Sequence, residues 1–258
     1  MKKRVALLLT MVAAFVLILT GCSNSSNETK TKGTLTIGLE GTYAPYSYRE
    51  NGKLTGYEVE FGKALAKEMG LKAKFVPTKW DSLIAGLNSK TFDVVINNVG
   101  ETKDRQKHYI FAKPYVASKS VLITKDGDSK VKSVDDLKGV KMAEGTGTDN
   151  YNKAKKFGAN IVPSPDFATT MSMIKQGRVQ ATINSHEAFL TWAKDNKDSG
   201  LKAKVIPTNK IPNTKIAPIF NKDSTKLRDK VNKAEDKLRK DGTLKRLSIK
   251  YFGEDISK

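Results

Sequence analysis

The chain has 258 residues, 46 of them Lys or Arg against 27 Asp or Glu, giving a formal net charge of +19. A single cysteine excludes an internal disulfide, and with only two histidines there is no metal-ligand spacing. The lysines are scattered, with no long basic block and no aromatic-interleaved stripe, which argues against nucleic acid as a partner.

At the start, Met1-Lys2-Lys3-Arg4 precedes the apolar run "VALLLTMVAAFVLIL", residues 5–19. A basic start, an apolar stretch and small residues before a cut are the features of an export signal. The run falls short of the roughly 20 apolar residues a helix needs to cross a bilayer. Losing Lys2, Lys3 and Arg4 with it would lower the formal charge from +19 to +16. Leu19-Thr20-Gly21-Cys22 resembles the lipobox of bacterial lipoproteins. That resemblance implies a signal peptide over 1–21, diacylation of Cys22, and a protein held by lipid to the extracytoplasmic face of the membrane. Residues 23–32 carry no apolar side chain and predict a flexible tether.

From about Gly33 onward, short β-branched runs alternate with helical patterns, which predicts an α/β architecture with largely parallel sheets. "TLTIGLE" (34–40) reads as a strand. "GYEVEFGKALAKEMG" places Phe61, Ala64, Leu65 and Met69 on one helical face, closed by Gly70. "KAKFVP" is a strand, and "WDSLIAGLNSK" a short helix capped by Asp81. "FDVVIN" (92–97) is a strand covered on both faces. The pattern then starts afresh: "SVDDLKG" is a capped turn, "VKMAEG" a strand, "TGTDNYNKAKKFG" a loop opening a helix, and "ANIVP" another strand. "DFATTMSMIKQG" and "HEAFLTWAKDN" are helices around the strand "RVQATIN", and "AKVIP" is the last strand of this unit. Two similar units in series predict two lobes. Leu227, Val231, Ala234 and Leu238 then mark an amphipathic helix, broken at Asp241-Gly242 before a second helix.

Enzymatic constellations are poor. No nucleophile elbow or P-loop is present, and His108 and His186 read as solvated or packing residues. "EGTGTDN" (144–150) is the one Gly-Thr-rich loop opening a helix; it fits an anion or a plain strand-to-helix turn equally well.

Six segments in fixed order, "GTYAPYSYRENGKLTGYEVEFGKALAKEMG", "WDSLIAGLNSKTFDVV", "TKDRQKHYIFAKPY", "DDLKGVKMAEGT", "MIKQGRVQATIN" and "LRKDGTLKRLSIKYFG", resemble the bacterial extracellular solute-binding proteins of the polar amino-acid type, the receptors of ABC importers. The resemblance implies a two-lobed, periplasmic-binding-protein-like (type II) clamp that closes on ligand by hinge motion. Its hinge crossings fall near Ala117–Val121 and Asn213–Ile216, so that 33–118 plus 216–258 form lobe 1 and 119–215 form lobe 2. It assigns the ligand carboxylate to Arg105, whose planar fork matches two oxygens. Thr146 or Thr148 then grips the same carboxylate from the second lobe. Tyr43 and Trp80 match aromatic positions of the cleft, and Asn98 a polar one.

Two positions depart from the family pattern. Gly100 stands where a hydroxyl residue is common, removing a polar contact and leaving room. Ser185 stands where an aspartate usually holds the ligand ammonium, so another acid is expected in the cleft. Glu40 is the choice over Asp149 and Glu187, which are expected at the surface, because it ends the first strand. The resemblance implies no catalytic residue, metal or cofactor, a monomeric receptor, and an ABC permease as membrane partner. Within the family the segments look most like the cystine-binding branch; other polar or cationic amino acids are the alternative, and a dehydratase-like enzyme on the same fold a further one.

Overall fold

The computed structural model describes residues 28–258, so the expected signal segment and Cys22 lie outside the described residues. In chain order the first elements are β1 (Thr34–Leu39), the hairpin strands β2 (Tyr48–Glu50) and β3 (Lys53–Thr55), α1 (Tyr57–Glu68), β4 (Lys72–Pro77), α2 (Trp80–Asn88), β5 (Val94–Val95), α3 (Lys103–His108) and β6 (Tyr109–Phe111). β1 pairs in parallel with β4 and β5 and buries Leu35, Ile37 and Leu39 completely, as a strand covered on both faces must. α1 lays Tyr57, Phe61 and Leu65 into the same core. It sits so close to the sheet that a Cβ at Gly62 would meet Ile37 Cδ1 at 2.8 Å. Gly70, at φ 69°, ends it: Leu71 N donates to Ala66 O at 2.8 Å and Gly70 N to Lys67 O at 3.0 Å.

Two local expectations need correction. α2 begins at Trp80 with Lys79 as its cap residue and no side-chain cap, so Asp81 lies inside the first turn, where its charge faces the helix dipole. Of "FDVVIN", only Val94 and Val95 are strand. The Asp93 carboxylate takes the Thr36 N–H at 2.7 Å, replacing a ladder bond, and Phe92 turns under Gly38 and Gly86 instead of continuing the pleat.

β7 (Val116–Ser118) carries the chain to a second sheet, built from β8 (Ser120–Lys125), β9 (Lys141–Glu144), β10 (Asn160–Pro163), β11 (Ala181–Ser185) and β12 (Leu201–Val205). Between them lie α4 (Asp149–Lys156), α5 (Phe167–Lys175) and α6 (His186–Asp195). The chain returns through β13 (Thr214–Ile216), followed by β14 (Ile219–Asn221), α7 (Thr225–Lys240) and α8 (Thr243–Phe252). The sheet orders are β4-β1-β5-β14-β6 and β10-β9-β11-β8-β12, each mixed. β7 and β13 pair with each other, Ser118 opposite Thr214, so the two crossings lie side by side. α7 buries Leu227, Val231, Ala234 and Leu238 as its periodicity requires, and also Glu235, which Arg239 pairs at 2.7 Å.

Candidate functional site

The two sheets turn their strand ends toward one cleft, the position that open α/β sheets offer to a ligand. On the first lobe, Glu40 follows β1 and is tied to Asn97 twice: its N–H donates to Asn97 Oδ1 at 2.7 Å, and Asn97 Nδ2 donates to its Oε2 at 2.8 Å. Burial pushes the Glu40 carboxyl up; the Asn97 amide opposes this, while the charges of Asp166 and Asp81 add to it. Asn98 sits at φ 46°, uncommon for a residue with a side chain, and its Oδ1 is buried with no partner among the described residues. Its N–H is held by Glu58, a wholly buried acid whose carboxyl burial pushes up to about 7.

Arg105 projects from α3, whose first turn is capped by Thr102. Its Nη1 donates to Gly100 O at 2.8 Å and its Nη2 to Gly147 O at 3.1 Å, across the cleft. The guanidinium carbon lies 5.4 Å from the Trp80 ring centre. Burial lowers the Arg105 pKa, against the pull of Asp149 and Asp104. Trp80 Nε1 also crosses the cleft, to Thr146 O at 3.0 Å. Tyr43 meets the second lobe from the other end: its hydroxyl donates to Asn184 Oδ1 and lies 3.1 Å from Ser185 Oγ. Burial raises the pKa of that phenol, which stays protonated.

The structure thus brings Glu40, Tyr43, Trp80, Asn98, Gly100, Arg105, Thr148 and Ser185 to one cleft. Thr146 is not among its lining residues; it is exposed and contributes only its carbonyl, to Trp80. The Thr148 hydroxyl is committed to capping α4, accepting from Tyr151 N at 3.0 Å and donating to Gly145 O at 2.8 Å. Ser185 caps α6 in the same way, over Ala188 N.

Three expectations change. Gly100 does not leave room: a Cβ there would meet Thr214 Cγ2 at 2.9 Å and Asp149 Oδ2 at 3.5 Å. Asp149 is not a surface acid, since it lines the cleft and pairs with Lys153 at 2.7 Å. Glu187 is not at the surface either; it is 3% exposed and accepts from Ser118 Oγ at 2.6 Å and Tyr46 OH at 3.2 Å. His108 is exposed, and His186 is half-buried with Nδ1 unpartnered among the described residues.

Sequence reasoning missed Asn97, Asn184 and Glu144, all cleft residues. Glu144 ends β9 in the same manner as Glu40 follows β1, so the strand-end rule that singled out Glu40 also points to it. Among the described residues no group of acids, histidines or cysteines is arranged to hold a metal ion.

Residues 35–254 match the family model of the bacterial extracellular solute-binding proteins, family 3. The chain belongs to this family. The probable amino-acid ABC transporter-binding protein of Haemophilus influenzae is 44% identical over 88% of each chain. The L-cystine-binding protein TcyA of Bacillus subtilis is 40% identical over the whole of both chains. Among solved structures, the L-cystine solute receptor of Neisseria gonorrhoeae, unliganded and open, is 41% identical over 88% of this chain and 96% of its own, with a TM-score of 0.60. In this chain the contacts from Trp80, Arg105 and Tyr43 join residues on the two sides of the cleft. Family membership places the protein outside the cytoplasm.

Proposed function

We propose that this family member is a membrane-tethered receptor that captures an amino acid, cystine in preference, and delivers it to an ABC permease. The observation that carries the reading is Arg105. Its fork faces the cleft and holds two oxygen acceptors, one on each lobe, while three of its five N–H groups remain for a ligand carboxylate. A ligand anion shared in this way stabilises the closed arrangement over the open one. Around it the cleft is rich in acid: Glu40, Asp81, Glu144, Asp149 and Asp166 line it against Arg105 and Lys119, with Lys153 pairing Asp149 from behind the lining. Such a lining suits a ligand with more than one ammonium group. Cystine has two, and the cystine-binding relatives support it; a cationic amino acid is the second reading, favoured by the same surplus.

In this reading Tyr43 and Trp80 wall the ligand, Asn98 and the backbone at Gly100 offer polar contacts, and Glu40 meets an ammonium group. The amides of the loop ending in Thr148, more than its committed hydroxyl, complete the carboxylate site. Ser185 contributes its hydroxyl. Residues 33–118 with 216–258, and 119–215, are the lobes that move about β7 and β13. Cys22 carries the lipid, and the receptor works as a monomer, without catalysis. Calorimetric titration with cystine, arginine and glutamine, together with a search for conversion of labelled ligand, tests the whole reading. Tight binding without turnover is expected; turnover would make the protein an enzyme on this fold.

A further inference from the structure

Glu144 is buried deeply for an acid, 3% exposed, yet it lines the cleft. Its Oε1 accepts from Ile183 N at 2.7 Å and Thr182 Oγ1 at 3.1 Å, which fix the carboxyl in place. Oε2 has no hydrogen bond among the described residues, and it is not sealed in as Glu58 Oε2 and Glu235 Oε2 are. A carboxyl oxygen left without a protein partner beside a ligand cleft is free to accept from what enters it. β9 runs beside β11, with Met142 opposite Ala181, so Glu144 stands next to the strand that ends at Ser185. The charge that Ser185 does not supply is present one strand away.

We infer that Glu144 is the second lobe's acceptor for a protonated amine of the bound amino acid. This rests on the receptor reading above and adds a residue that decides which ligands are held. An anion would be repelled here, and a neutral hydroxyl would gain only a neutral hydrogen bond, whereas an ammonium gains a charge-assisted one. With Glu40 on the first lobe and Glu144 on the second, a ligand bearing two amines is gripped from both sides, and closure is coupled to both.

Burial pushes the Glu144 carboxyl up to about 8, against the Ile183 amide, the Thr182 hydroxyl and the charge of Lys153 on α4. Asp149 on α4, Asp166 at the start of α5, Lys119 between β7 and β8, and Glu40, Asp81 and Arg105 across the cleft are the other charged groups lining the site. Near neutral pH the empty site therefore holds a proton that an incoming ammonium displaces. Affinity rises with pH toward about 8, by at most tenfold per pH unit from this group, for as long as the ligand amine stays protonated.

The test is calorimetry of the purified protein with cystine and with arginine from pH 6.5 to 8.5, in two buffers of different ionisation enthalpy. Wild type is expected to release protons on binding at pH 6.5. Glu144→Gln should release fewer, by close to one per ligand, and should bind at least tenfold more weakly at pH 8.5. Thr182→Val keeps the acid but removes a donor, and should move the pH dependence to higher pH. Should Glu144→Gln fail to fold, the wild-type proton count and Thr182→Val still decide: no proton release and an unmoved pH profile overturn the inference. A folded Glu144→Gln with wild-type affinity and proton release overturns it while the receptor reading stands. Wild type that binds neither probe nor any other amino acid overturns both.

Discussion

The Arg105 guanidinium lies over the Trp80 ring, 5.4 Å from its centre, and both side chains reach carbonyls of the facing lobe, at Gly147 and Thr146. One flat cation is thus oriented by an aromatic face and by two oxygens. Arg105→Ala should cost about 2–5 kcal/mol of ligand binding, because the ligand anion is left without its partner. That is roughly 30-fold or more in Kd. Arg105→Lys should restore little, since an ammonium neither forks nor stacks. Titration calorimetry with cystine and arginine reads the change, and unchanged affinity for both would remove Arg105 from the site.

Glu40→Gln keeps the shape and the Asn97 contacts but removes a charge. It should weaken binding by about 1–3 kcal/mol for any ligand whose ammonium meets it. Ser185→Asp should recover part of the loss, and it keeps the cap of α6, because aspartate caps as well as serine. Equal Kd values for Glu40→Gln and wild type would show that this carboxyl faces no cation.

Stability of the empty protein should fall as pH rises. Burial holds the Glu58 carboxyl at about 7, although Tyr115 OH and Asn98 N donate to it, and its Oε2 has no partner among the described residues. The folded state keeps a proton there that the unfolded chain has lost above the ordinary carboxylate range. The contribution is fully present below pH 4.5 and is lost as pH rises through about 7, at up to about 1.4 kcal/mol per pH unit. Glu235, also raised to about 7, acts in the same direction. Urea midpoints at pH 5 and 7.5 check this: wild type should be the more stable at pH 5, and Glu58→Gln should narrow the difference without removing it, since Glu235 and Glu144 remain. A midpoint that does not move contradicts the assignment.

Cys22→Ser should abolish lipid attachment and yield uncleaved precursor or released protein. Fractionation of cells with mass spectrometry of the N-terminus measures this, and a variant retained on the membrane at mature size would refute the anchor.

Where a signal is local, the sequence carries it. β1 was legible from alternation, α1 from the spacing of Phe61 and Leu65, and the end of α1 from Gly70. Glu187 was not, because an acid in the first turn of a helix looks solvated; only the fold brings Ser118 and Tyr46, far away in sequence, onto it. Gly100 misled for a similar reason, as the space beside it belongs to Thr214 and Asp149 from the other lobe and the crossing strand. Beside the short β5, Asp93 bonds Thr36 with both its backbone N–H and its carboxylate, a side-chain contact that the apolar run did not signal. Glu40 could be placed in the cleft because the strand ends of an α/β sheet have a fixed destination, whereas Arg105 and Tyr43 were placed by the family resemblance.

In the first sheet β14 lies between β5 and β6, and β6 has no other partner there. A chain that emerges with its N-terminus first therefore cannot finish this sheet until residues 219–221 have appeared. The second sheet, drawn from the uninterrupted stretch 120–205, meets no such delay. The lobe that starts first finishes last. Until then β5 and β6 are open edges, so the unfinished lobe is the part that a chaperone must guard and that aggregation threatens. Its closing strand pairs, Ile219 with Val95 and Phe220 with Ile110, join residues far apart in sequence, and such non-local pairing is slow to form.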